Sequence, residues 1–261
     1  MQNVLRSLGI VLLGLVPFGC SAKKDAECQA AWCGNPTASA SSNDAGATQS
    51  DAGVGDANAA FDGDAAETSS GMPAGYTQVA YLSTMPERSF PSGPTQVVQP
   101  GTDYIAVIDS DVGRMVLDLY EDDTPKTVNS FVFLSLHHFY EQVAFHRVID
   151  KFMAQTGDPN TVSGRPSSWG SGGPGYQYGL EVKSSLNFDA PGVLGMARTS
   201  DPNSNGSQFF IMFNDYPSLN QQYTVWGKVI DGLAVLSKIV QGEPPTTPTR
   251  MTEVRIGTKA K

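Results

Sequence analysis

Phe145-His-Arg-Val-Ile-Asp-Lys-Phe-Met-Ala-Gln-Thr-Gly-Asp158 gathers an apolar run, one arginine, an aromatic, a methionine and a glutamine, and ends in a turn signal. As a strand it puts Arg147, Ile149 and Lys151 on one face, with Phe145 leaning the same way. Arg147 then lies on a partly apolar surface. Two roles suit it: a rim residue in a surface ion pair, which is the commoner and weaker one, or a fixed guanidinium aimed into an apolar groove.

Ahead of this stretch, Tyr104–Ile108 and Arg114–Tyr120 read as two strands of a hairpin around Asp109–Gly113. Thr124-Pro125 is a helix entry, because proline suits the first turn. Thr127–Tyr140 then has the broad apolar face of a helix through Val128, Phe131, Val132, Leu134 and Phe139. His137 and His138 fall at its end, where capping explains them better than ligation. Asn160–Gly179 is rich in Gly, Ser and Pro. It lacks the Lys-Ser/Thr of a phosphate loop and reads as a loop framing a groove. Further strands are expected at Gly192–Ala197, Gln208–Phe213, Tyr223–Ile230 and Val254–Ile256, with a short helix at Leu233–Val240. Many short antiparallel strands and two helices imply a mainly β fold, a closed barrel with helices over its ends.

The chain has 261 residues and a formal net charge of −9. No Lys or Arg occurs between residues 25 and 87, and that stretch holds nine acidic residues, so the acidity belongs to one segment. There is no basic stripe, which argues against nucleic acid as a partner. Arg6 precedes an eleven-residue apolar run, Leu8–Phe18, too short for a bilayer span of about 20 residues and suited to a secretory leader. Gly19-Cys20 follows. Residues 1–20 are thus expected to be a signal peptide, and 21–75, almost wholly Ala, Ser, Asp, Gly, Asn and Thr, a disordered tether. Residues 76–101, punctuated by prolines, are expected to form an irregular extension packed on a domain at 102–261. Cys28 and Cys33 are close enough in sequence for a small disulfide loop in an oxidising compartment. No set of residues suggests a metal, and no cofactor is expected.

The opening stretch, with Gly192-Val-Leu-Gly-Met-Ala197, Asn203-Ser-Asn-Gly-Ser-Gln-Phe-Phe-Ile211, Gly170-Ser-Gly-Gly173 and Val225-Trp-Gly-Lys-Val229, resembles the cyclophilin family of peptidyl-prolyl isomerases. The resemblance runs from about Thr102 to Gly257, with the motifs in the family's order. It implies an eight-stranded antiparallel barrel capped by two α-helices, and isomerisation of Xaa-Pro bonds in proline-containing polypeptides. Carried over residue by residue, it implies catalytic roles for Arg147, Phe152 and Gln155. Met153, Phe210 and Leu219, with Phe152, match the pocket for the proline ring. Gln208 matches a groove glutamine, and Ala197, Arg198 and Thr199 the segment that contacts substrate backbone. Tyr223 stands where the family has a groove histidine. Ser218 stands where eukaryotic members often have the tryptophan that binds cyclosporin, which implies weak sensitivity to that drug. The loop from Arg198 to Pro202 is similar to that of bacterial members, and Cys20 to the lipidated cysteine of bacterial lipoproteins. Together these imply a monomer in the bacterial cell envelope, lipid-anchored to a membrane and facing the periplasm or exterior, that assists folding of exported proteins.

The residue types suit that chemistry. Amide resonance sets a barrier of about 18–20 kcal/mol, and uncatalysed Xaa-Pro exchange takes roughly tens to hundreds of seconds. Rotation needs no nucleophile, metal or general base. It needs a group that stabilises the twisted imide, and a guanidinium is permanently charged with a rigid fork of donors. An apolar pocket holds the ring and excludes water, which strengthens that hydrogen bond. Gln155 is expected to orient Arg147 and to bind a substrate carbonyl. His146, adjacent to Arg147, points to the opposite strand face and is expected to be structural.

Overall fold

The structure, a computed structural model, describes residues 71–261. The expected leader with Cys20, the pair Cys28 and Cys33, and the tether as far as residue 70 lie outside the described residues.

Among the described residues, nine strands form one sheet: β1 (Thr77–Gln78), β2 (Thr102–Ser110), β3 (Gly113–Leu119), β4 (Arg147–Ile149), β5 (Met153–Thr156), β6 (Val193–Met196), β7 (Phe209–Met212), β8 (Val225–Asp231) and β9 (Met251–Ala260). Their order is β1-β9-β2-β3-β8-β6-β7-β5-β4, and every pairing is antiparallel. This mainly β architecture differs in detail from the closed eight-stranded barrel expected from the sequence. The two-residue β1 adds a ninth strand against β9, and the end strands β1 and β4 do not pair with each other. Backbone hydrogen bonds between residues 142–148 and 242–251 lie beside β4, including Val148 N–H to Gly242 O at 2.9 Å and Phe145 N–H to Thr249 O at 2.9 Å.

Strand β2 is buried on both faces. Ala106 and Ile108 enter the main core, whereas Ile105 and Val107 pack with Val116 and Met72. Met72 is fully buried, so packing begins ahead of Tyr76, where the sequence suggested order would start. The extension after it is tied down by backbone bonds, from Leu82 N–H to Leu136 O and from Phe90 N–H to Pro174 O, while Asn129 Oδ1 accepts from the N–H groups of Val97 and Val98.

Helix α1 spans Pro125–Leu136, with proline in its first turn. The N–H groups of Lys126 and Thr127, which have no partner inside the helix, donate to the Glu181 carboxylate at 3.1 and 2.8 Å. A carboxylate there also suits the positive end of the helix dipole. Phe131 packs among Tyr140, Phe209 and Trp226, so the helix covers the interior of the sheet. It stops short of the expected Tyr140. His138 adopts φ 54°, and the His137 imidazole bonds to the Phe133 carbonyl at 2.8 Å, which closes the last turn. A second, four-residue helix, α2, covers Asn160–Ser163. The short helix expected at Leu233–Val240 is a 3-10 helix over Leu233–Lys238, entered through Gly232 in the left-handed region.

Candidate active site

The sheet register assembles the site. Arg147 on β4 lies directly opposite Gln155 on β5; Gln155 lies opposite Phe210 on β7; Phe210 lies opposite Gly195 on β6. Residues directly opposed across strands share a face, so Arg147, Gln155 and Phe210 form one row. Met153, two positions from Gln155, joins that face. The alternate residues Ala154, Phe209, Ile211, Leu194 and Met196 belong to the main core on the other face. An alternating pattern on short strands therefore supports two apolar surfaces: one fills the interior, and the other lines a site.

Gly195 makes the second surface possible. An added Cβ there would lie 2.8 Å from Phe188 Cε1 and also against the Phe210 ring, so both rings occupy space that only glycine leaves. Phe210 stacks on Phe188 with centroids 5.6 Å apart and meets Tyr223 edge-on at 5.8 Å. Met153, Phe210, Leu219 and Tyr223 are all buried. Leu219 comes from the 3-10 helix Pro217–Leu219, and Ser218 beside it is exposed. Phe152, half-buried just before β5, packs on Tyr216 at 4.5 Å and stands at the lip.

The polar members are connected. Gln155 Nε2 donates to Gln208 Oε1 at 3.0 Å, and Gln208 Nε2 donates to the carbonyls of Gly170 and Gly172 at 3.0 and 2.9 Å. The glycine-rich loop is thus fixed to the row through two glutamines. Asp158 secures it from beneath by accepting from the Gly170 and Gly172 N–H groups. Gln155 lies beside Arg147 but makes no hydrogen bond to it. Gln155 Oε1 is buried and makes no hydrogen bond, while Arg147 Nε donates to Glu243 Oε2 at 2.7 Å. A buried acceptor left unsatisfied costs about 1–3 kcal/mol, a cost expected where a ligand supplies the missing donor.

At the other edge, Ala197 N–H donates to Gln208 O at 2.9 Å. The Arg198 guanidinium lies 4.8 Å from the Tyr223 ring centroid, and its Nε and Nη2 donate to Gln222 O. This cation–π contact braces the aromatic wall. Thr199 is exposed, with its N–H and hydroxyl bonded to Ser204 Oγ. The resemblance-derived residues therefore gather around one face and one rim. Sequence reasoning missed Phe188, Tyr216 and Glu243. Phe188 was the one large aromatic in a polar loop, a weak signal, and Glu243 gave none.

Phe145 joins the main core, not the Arg147 face, because β4 is only three residues long and alternation does not extend back to it. His146 is buried. Burial pushes its imidazole below the ordinary value; the Asp158 carboxylate opposes this in part, and the Arg147 charge adds to it. The unfolded chain takes up the proton near about pH 6.5. The folded protein does so only at lower pH, so stability falls as pH drops below that value. The denaturation midpoint of His146→Gln should accordingly drop less than that of wild type between about pH 7.5 and 5.5, read by urea titration. Equal drops would remove His146 from the acid response.

A family model described as "Cyclophilin type peptidyl-prolyl cis-trans isomerase/CLD" matches residues 104–258. The chain is 42% identical over 131 residues to "Peptidyl-prolyl cis-trans isomerase-like 3" of Gallus gallus, covering 50% of this chain and 78% of that one. It is 37% identical over 153 residues to "Peptidyl-prolyl cis-trans isomerase CYP18-1" of Arabidopsis thaliana, covering 56% and 92%. Among solved structures, a cyclophilin-type isomerase of Cryptosporidium parvum, crystallised in the presence of the dipeptide Ala-Pro, superposes with a TM-score of 0.52 at 30% identity, over 57% of this chain and 96% of that one.

Proposed function

The chain belongs to the cyclophilin-type peptidyl-prolyl cis-trans isomerase family, and from that premise we propose that the row Arg147–Gln155–Phe210 carries out its isomerisation of Xaa-Pro bonds. The proline ring enters the pocket of Met153, Phe210 and Leu219, with Phe152 at the lip and Tyr223 as the far wall. Burying the ring there fixes one side of the imide while the other side turns. Arg147 acts on the imide as its nitrogen loses conjugation and its lone pair localises, a state in which a fixed donor gains strength. The open acceptor of Gln155 takes a substrate N–H, and Ala197, Arg198 and Thr199 offer backbone along the groove. The observation that carries this reading is the register that sets Arg147, Gln155 and Phe210 side by side on the non-core face. It is tested by isomerisation kinetics of site variants on a short Ala-Pro peptide.

On the same reading, the sheet closes into a barrel through the bonds between residues 142–148 and 242–251, so that Arg147 lies on a rigid seam. Ser218 offers no aromatic surface, and we expect cyclosporin to inhibit weakly while peptide turnover is retained. Tight inhibition in the nanomolar range would contradict that.

We further propose a lipid-anchored, monomeric enzyme of a bacterial envelope, facing the periplasm or exterior and serving exported proteins. Support for this is confined to sequence: Arg6, the apolar run Leu8–Phe18, Cys20 and the acidic, low-complexity stretch after it. The mass of the mature N-terminus tests it. An acylated Cys20 as the first residue is expected, and an unmodified chain retaining Met1 would overturn it.

A further inference from the structure

We propose that Glu243 is a positioning residue for Arg147, a proposal that rests on the role given to Arg147 above. Glu243 Oε2 accepts from Arg147 Nε at 2.7 Å across 96 residues of chain. The arginine side chain is 16% exposed and the glutamate 51%. An ordinary surface pair of two mobile side chains contributes little, but neither backbone is free to drift here. Gly242, next to Glu243, exchanges both of its backbone hydrogen bonds with Val148, next to Arg147, at 2.9 and 3.0 Å. Gln241 Nε2 adds a bond to Asp150 Oδ1 at 3.2 Å. The tight path of the loop depends on Gly242. It has φ 146°, and a Cβ there would lie 2.6 Å from Pro245 Cα. The carboxylate is therefore delivered to the arginine by a loop stitched to the same strand.

The atom contacted decides the consequence. Nε lies in the guanidinium plane, so an acceptor on it fixes how that plane is turned and leaves the terminal nitrogens at the end of a restrained fork. A donor held in its working orientation contributes more to the transition state than one that must be ordered during reaction. The carboxylate also offsets part of the arginine's charge, which opposes catalysis. Its half-exposed position weakens that effect through solvent screening, so orientation dominates and removal of Glu243 slows turnover.

The test is steady-state kinetics of the full chain on an Ala-Pro peptide for wild type, Glu243→Ala, Glu243→Gln, Arg147→Ala and the double variant Arg147→Ala/Glu243→Ala. Glu243→Ala should lower kcat about 5–10-fold with KM changed less than about 2-fold, the pattern of an interaction that matters only in the transition state. Glu243→Gln keeps an acceptor of the same reach and should return kcat to within about 2-fold of wild type, and the double variant should match Arg147→Ala, since there is then nothing to position. The proposal is overturned if Glu243→Ala turns over as fast as wild type or faster, if Glu243→Gln is as slow as Glu243→Ala, or if Glu243→Ala slows the Arg147→Ala background as much as it slows wild type. A wild-type rate for Arg147→Ala alone would instead refute the role of Arg147 itself, which separates the two failures.

Discussion

Arg147→Ala is expected to lower kcat/KM on an Ala-Pro peptide by roughly 10²–10³-fold, the loss seen when a single preorganised donor to a transition state is removed. Arg147→Lys should recover little of this. Lysine keeps the charge but loses Nε, and with it the planar fork and the bond that Glu243 makes. Stability should change by no more than about 1 kcal/mol, because the pair is partly exposed and the strand's ladder bonds come from the backbone. A protease-coupled assay beside a thermal melt separates the two effects. An Arg147→Ala enzyme within a few-fold of wild type would leave the pocket alone as the source of catalysis.

Phe210→Ala is expected to damage fold and function together. The ring is fully buried against Phe188 and Tyr223 and rests over Gly195, so its loss leaves a cavity that the rigid strands β6 and β7 cannot close. Phenylalanine-to-alanine changes in such places cost about 3–5 kcal/mol. For a folded part of this size that lowers the melting temperature by roughly 6–20 °C. Activity measured well below the melt should still fall about 10–100-fold, because the floor against which the proline ring packs is gone. Phe210→Leu should restore most of the stability and less of the activity, since leucine refills volume without the flat ring face. A variant that melts early yet turns over normally when folded would show that Phe210 supports the sheet without touching substrate.

The chain's own residues made the strand runs and the first helix legible, because hydrophobic alternation and Thr124-Pro125 are local signals. Strand β9 was read as Val254–Ile256 but runs from Met251 to Ala260. Its polar residues hid it: Arg255 is buried yet paired with Asp109, and Glu253 pairs with Arg255, so ionic partners replace the expected apolar pattern. The helix that ends at Leu136 was read on to Tyr140 because a left-handed His138 leaves no mark in composition. The site was legible as a set of residue types near the opening stretch, with its roles supplied by family resemblance. What sequence did not carry was register. Only the pairing of β4 with β5, and of β5 with β7, sets Arg147 beside Gln155 and Phe210. Glu243 escaped for the same reason: its contact depends on chain closure over a long separation, which nothing in the local sequence marks.

On the proposed mechanism the pocket binds the ring and the arginine turns the bond. The most direct measurement is exchange spectroscopy by NMR on an Ala-Pro peptide saturating wild type and Arg147→Ala, with the dissociation constant of each measured in the same samples. The variant is expected to bind within about 3-fold of wild type while cis–trans exchange on the enzyme slows at least about 100-fold, toward the uncatalysed rate. Exchange that persists at the wild-type rate in the Arg147→Ala complex, or a loss of affinity that accounts for the whole loss of activity, would contradict it.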